Sequence, residues 1–293
     1  MRITRLPGNP IIRPHMDGRM GDNINGPSLI RVPQWVPSPL GRYYLYFAHH
    51  SGKYIRLAYA DALSGPWRTY EPGTLQLEES GFRHHVASPD VMIDEAQQRI
   101  VMFFHGAFLE TNPRQATRVA FSSDGIHFET QPDILGKAYW RVFAWRDRLY
   151  ALAKPGLLFR SSPGRPWKDF EPGPQVFPQS PELFMRHLAV DLRGDRLDVY
   201  FSRVGDTPER ILRSSIWLNE DWSTWRPSEP ETVIEPETEW EGVDEPLQRS
   251  TGGQVHGPVR QLRDPAIYRE AGRTYLLYSV AGERGIGIAL LEE

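Results

Sequence analysis

The sequence has no cysteine, which excludes a disulfide framework and any thiol chemistry. It has no run approaching the ~18 apolar residues of a membrane-crossing helix. The opening stretch, Met1 to Pro7, lacks the apolar centre of a secretory leader. We therefore expect a cytoplasmic protein with no membrane partner. Strong basicity is missing too: the formal net charge is −3, which offers nucleic acid no electrostatic footprint. There is no HExxH and no other paired spacing that defines a zinc site, so no metal or other cofactor is expected. Amphipathic helical periodicity is scarce. Turn formers take its place, with 25 Gly and 26 Pro spread through the chain. Nine Trp are also present, and aromatics make up 12% of the residues, enough for a thick β core or a sugar-stacking surface.

A turn followed by an aromatic-aliphatic strand recurs five times. The copies are Gly41 to Phe47, Gln98 to Phe104, Arg146 to Leu152, Gly194 to Phe201 and Gly272 to Tyr278. Spacings near 50 residues, with one larger gap, mark a repeat architecture. A strand-like run precedes each copy and another follows it. Several copies then reach an aromatic turn, such as Gly65-Pro66-Trp67 or Asp221-Trp222-Ser223-Thr224-Trp225. Four strands per unit and five units predict an all-β, five-bladed β-propeller with four-stranded antiparallel blades, a single domain over residues 1–293. A β-sandwich is the rival, but it leaves the fivefold repeat unexplained. The last blade ends at Glu293 after three strands, so Ile3 to Arg13 is expected to supply the fourth and close the ring. A long insertion, Glu229 to Gln261, precedes the last inner strand, and its acidic and aromatic content suits an ordered active-site loop.

The inner runs include Asn25-Gly26-Pro27-Ser28-Leu29-Ile30, Ala87-Ser88-Pro89-Asp90-Val91 and Leu262-Arg263-Asp264-Pro265-Ala266-Ile267, with a blade end at Leu63-Ser64-Gly65-Pro66-Trp67. These resemble the family-43 glycoside hydrolases and their five-bladed relatives, including the sucrose-acting families and families 117 and 130. The resemblance implies a funnel at one end of a central channel, where three carboxylates from different blades serve as base, pKa tuner and acid. Setting this sequence on the same step gives Gly26, Ser88, Arg141, His187 and Asp264. Gly26 stands where the resemblance implies the base.

Asp264 is the leading catalytic candidate, with local pairing to Arg263 as its structural alternative. Asp90, two residues beyond Ser88, falls on the same strand face and is a second candidate. Asp22, in the preceding loop, could stand in for the missing first-blade carboxylate or simply close a turn. His187 is a candidate general acid, as in the resembled family 117. Substrate contacts are expected from Asn25, Arg141, His85, His105, Arg203, Trp240, Glu241 and Arg263. Guanidinium groups among them would suit an acidic sugar. The expected partner is a small glycan or oligosaccharide and the expected activity is glycoside hydrolysis, by inversion. A non-catalytic carbohydrate-binding propeller is the alternative, as is a phosphorylase or lyase using His and Arg on an acidic or phosphorylated sugar.

Overall fold

A computed structural model describes residues 1–108, 115–180 and 182–292; Glu293, the expected end of the last blade, lies outside the described residues. Strand β1 (Arg2–Arg5) opens the chain. The first blade is β2 (Asn25–Arg31), β3 (Tyr43–Ala48), β4 (Arg56–Ala60) and β5 (Arg68–Tyr70). The second is β6 (Val86–Asp94), β7 (Arg99–Gly106) and β8 (Ala116–Ser122), whose outer edge is shared by the short β9 (Glu129–Thr130) and β10 (Gly136–Lys137). The third is β11 (Trp140–Trp145), β12 (Arg148–Ala153), β13 (Leu157–Ser161) and β14 (Phe170–Gln175). The fourth is β15 (Phe184–Arg193), β16 (Arg196–Val204), β17 (Ile211–Trp217) and β18 (Glu231–Ile234). The fifth is β19 (Arg263–Glu270), β20 (Arg273–Ser279) and β21 (Ile286–Glu292), with β1 as its outer strand. All pairings are antiparallel, and the described residues contain only 3-10 turns besides strands. No helix among them is long and apolar enough to cross a membrane.

Middle strands are buried along nearly their whole length; every residue of β3 is buried. Strands covered on both faces need no polar alternation, which explains the continuous aromatic-aliphatic runs of the repeat. Neighbouring blades provide the cover. An apolar cluster fills each interface: Leu45 with Leu277 between the first and fifth blades, Tyr44 with Met102 between the first and second, and Phe103 with Trp140 between the second and third. Tyr150 with Val199 joins the third and fourth blades, and Tyr200 with Tyr278 the fourth and fifth. The N-terminal run closes the ring, over Arg2–Arg5 and not the expected Ile3 to Arg13, with Arg2 opposite Glu292 through Arg5 opposite Ala289.

Bulges at the mouth ends of the inner strands position the site. The register shifts at Gly26-Pro27 in β2, Ser88-Pro89 in β6, Arg186-His187 in β15 and Asp264-Pro265 in β19. Proline suits a bulge because it has no N–H to leave unpaired. Gly26, Ser88 and Asp264 take left-handed φ values of 60°, 47° and 50°, and Tyr139, just before β11, takes 65°. Each non-glycine residue so held costs on the order of 1–3 kcal/mol.

These bulges correct the predicted step. Val91 N donates to Ser28 Oγ (2.9 Å), and Val142 N donates to Asp90 Oδ2 (2.8 Å). The same bond moves one blade onward, so Ser28, Asp90 and Arg141 form one layer. Arg141 therefore lies deeper than the mouth, and Tyr139 takes the third-blade place on the upper ring.

Candidate active site at the channel mouth

Two adjacent bulges bring His187 and Asp264 together. The Asp264 carboxylate abuts His187 Nδ1, and Ser279 Oγ from β20 donates to Asp264 Oδ2 (3.3 Å). Asp264 is fully buried. Nδ1 faces the carboxylate, and neither ring nitrogen has a hydrogen-bond partner among the described residues. The Tyr139 ring lies 4.6 Å from that of His187 and 3.9 Å from that of His105, which lies 5.7 Å from His85. One wall of the mouth is thus an imidazole and phenol stack drawn from three blades. Both His105 ring nitrogens lack partners among the described residues.

Burial drives these imidazoles toward the neutral form: His187 and His105 fall well below the usual range, and His85 falls to about 4. At His187 the charges of Lys154, Arg186 and Arg141 act in the same direction. The abutting Asp264 carboxylate opposes them and stabilises the imidazolium once a proton arrives.

Beside the stack runs a chain of charged and amide groups. Arg186 Nε donates to Glu209 Oε1 (2.7 Å), and Glu209 Oε2 lies 3.3 Å from Arg263 Nε. Arg263 Nη1 donates to Glu283 Oε1 (3.2 Å). Asn23 Nδ2 donates to Glu283 Oε2 (2.5 Å), and Asn25 Nδ2 to Asn23 Oδ1 (3.1 Å). Arg263 and Glu209 have no exposure at all, and such buried charges persist only when paired and hydrogen-bonded. His50 Nδ1 lies 3.5 Å from Glu283 Oε1. Burial alone would raise Glu283, but the His50 hydrogen bond and the Arg263 charge outweigh it and hold it below the usual carboxylate range. Arg186 also donates to the carbonyls of Thr251 and Gly253, fastening the second half of the insertion at the mouth.

Of the residues expected at the site, His187, Asp264, His85 and His105 meet at the mouth, while Asn25 and Arg263 belong to the chain beside it. Asp90 and Arg141 face each other at 4.0 Å inside the channel, in a void of about 160 Å³ lined by all five inner strands. Burial raises the Asp90 pKa against the opposing pull of Arg141.

Four other expected residues have partners away from the His187–Asp264 pair. Asp22 is half exposed at the rim and accepts from Arg284 (2.9 Å), which lowers its pKa. Arg203 pairs with Asp206 (3.0 Å) and lines a separate cavity of about 330 Å³ with Phe177, Leu183 and Phe201. Trp240 stacks on Tyr278 at 6.5 Å. Glu241, fully buried, accepts from Arg5, Tyr278 and the backbone N–H groups of Glu237 and Thr238. Trp240 and Glu241 therefore fasten the first half of the insertion to the outer part of the fifth blade instead of serving the mouth.

Sequence reasoning missed Tyr139, Lys154, Glu209 and Glu283. Only Lys154 had a usable signal: it ends the third repeat's middle strand, as His105 ends the second's. Among the described residues no group of three or more His, Asp or Glu is arranged for a metal ion.

No protein-family model matches the sequence. Solved structures match its fold over nearly the whole chain. The GH43_1 enzyme from Xanthomonas citri complexed with xylose superposes with a TM-score of 0.63 at 12% identity, covering 96% of this chain and 90% of that one. The α-L-arabinofuranosidase from Lactobacillus brevis gives 0.64 at 13%, covering 98% and 93%. CoXyl43, a β-xylosidase/α-arabinofuranosidase from a compost metagenome, gives 0.64 at 10%, covering 100% and 96%. These likenesses show the five-bladed fold of family-43 glycoside hydrolases. In sequence, the chain is 35% identical to the uncharacterized protein R118 of Acanthamoeba polyphaga mimivirus across 99% of its own length and 90% of that protein's. An identity of that level over nearly the full length of both chains places this protein in the family of the mimivirus protein R118.

Proposed function

We propose that this protein cleaves a glycosidic bond of a small glycan at the channel mouth, with His187 and Asp264 as its principal proton-transfer pair. That pair carries the reading: a buried carboxylate sits against Nδ1, Nε2 has no partner among the described residues, and Asp264 is held on left-handed backbone. An imidazole so oriented can protonate a leaving oxygen or accept a proton from water. Inversion needs a second group across the sugar, with ~6.5–9.5 Å between acid and base. His50 with Glu283 is the second imidazole–carboxylate pair beside the mouth, and we assign it that role. One pair gives its proton to the departing oxygen as the C–O bond breaks. The other takes a proton from the water that attacks the anomeric carbon. The bound sugars of fold relatives, namely xylose, xylotriose and arabinohexaose, support a short glycan.

The alternative, a propeller that binds sugar without cleaving it, is favoured by Gly26. A Cβ there would lie 3.2 Å from Ser88 Cα, so the first-blade place implied for the base is crowded by the second blade.

The test is turnover on chromogenic glycosides and natural oligosaccharides, with and without phosphate, with the product anomer read by NMR. Hydrolysis with inverted configuration, lost in Asp264→Asn and His187→Asn, is expected. Sugar binding without turnover would favour the binding propeller. Turnover only with phosphate would make the protein a phosphorylase.

A further inference from the structure

Lys154 is the mouth cation held only by ring contacts among the described residues. It follows β12 directly, at the height where β7 places His105. Its Nζ lies 5.0 Å from the Tyr139 ring centroid and 5.9 Å from that of Phe184. Among the described residues it has no ion pair and no hydrogen-bond acceptor. The other mouth cations are neutralised within the fold. Arg186 is paired with Glu209, and Arg263 with Glu209 and Glu283. Deeper in the channel Arg141 faces Asp90, and away from the mouth Arg203 is held by Asp206.

A half-buried ammonium without a counter-ion is unfavourable unless something completes it. Burial and the nearby Arg186 charge bring the amine to about 8, so it remains mostly protonated at neutral pH. The carboxylates near it are engaged elsewhere: the Glu209 charge reaches the amine without pairing with it, and Asp264 lies against His187. Tyr139 is pushed up to about 12 by burial and stays neutral, His105 and His187 are held toward their neutral forms, and Glu209 is shared by two guanidiniums.

We propose that Lys154 anchors an anionic group on the glycan, a carboxylate or a phosphoryl, beside Tyr139 and Phe184, with the bond to be cleaved toward His187. This inference rests on the glycan reading above and narrows it to acidic sugars. An ammonium is a point charge that accepts either anion, so the two sources need separate probes.

The test is calorimetric titration of the wild-type chain with three sets of ligands: neutral di- and trisaccharides, their hexuronate-containing counterparts, and sugar 6-phosphates. One acidic set is expected to bind about tenfold or more tightly than its neutral counterpart, the scale of a hydrogen bond to a charged group. Preference for hexuronates identifies the carboxylate as the source; preference for sugar phosphates identifies the phosphoryl. In Lys154→Met the acidic-to-neutral ratio should fall to about one, and in Lys154→Arg it should stay above one, with thermal melts confirming that both variants fold. The preference should also fade as the pH rises through about 8. Equal binding of acidic and neutral sugars, or a ratio unchanged in Lys154→Met, overturns the inference and leaves the glycan reading intact. Binding of none of the three sets overturns both.

Discussion

At the scale of single residues, the mouth concentrates unusual backbone and unusual proton affinities in a few positions. Asp264→Asn removes the charge beside His187 at nearly constant volume, and His187→Asn removes the proposed proton carrier. Each should lower kcat by about 10²–10⁴ with the fold intact, as measured by steady-state rates and circular dichroism. His85 is a separate case because its pKa is depressed by burial. Unfolded, it binds a proton near pH 6.5; folded, only near 4. The stability tied to its neutral form is therefore complete above about pH 6.5 and is lost as the pH falls toward 4. Melting temperatures should decline across that window, and His85→Gln should flatten the decline; an unchanged slope would exclude His85 as its source. His187, Asp264, His85 and His105 were legible from sequence because repeats place strand ends predictably. Glu209 and Glu283 were not, since their importance comes from the guanidiniums that folding brings to them.

At the scale of elements, the long insertion shows how composition misleads. Glu239-Trp240-Glu241 reads as acidic and aromatic active-site chemistry, yet Glu241 is wholly buried beside Arg5 and Tyr278. Its two oxygens accept two guanidinium bonds, a phenol and two backbone N–H groups, a full set for a carboxylate. Glu241→Ala leaves the Tyr278 hydroxyl and two backbone N–H groups without their acceptor, while Arg5 keeps Glu237, and should destabilise the fold by about 1–3 kcal/mol in denaturant unfolding. Sugar affinity below the melting range should not change; a specific loss of affinity would return Glu241 to the site. The second half of the insertion does reach the mouth, through Thr251 and Gly253. That division was invisible in the sequence because backbone carbonyls, which carry no side-chain signature, make the contact.

At the scale of the whole molecule, closure joins the two ends of the chain. β1 covers the edge of β21, which would otherwise expose unpaired backbone groups. Deleting residues 1–6 removes that cover and the Arg5–Glu241 pair. The expected result is a lower unfolding midpoint and concentration-dependent association in light scattering; wild-type values for both would show that closure contributes little. The sequence by itself determined the all-β class, the five repeats, the blade count and the closing strand. Each follows from local signals: turn residues, apolar runs long enough for one strand, and a constant period. Only the tertiary structure decided the rest. It shifted the third-blade ring position by two residues, from Arg141 to Tyr139, because the layer is set by the bond from Val142 N to Asp90, which joins different blades. It paired Asn23 with Glu283 across 260 residues of sequence and set Lys154 against the Tyr139 ring with no ion pair among the described residues. A propeller mouth is assembled from every blade at once, so its charge balance depends on contacts between positions far apart in the chain, which repeat patterns do not encode.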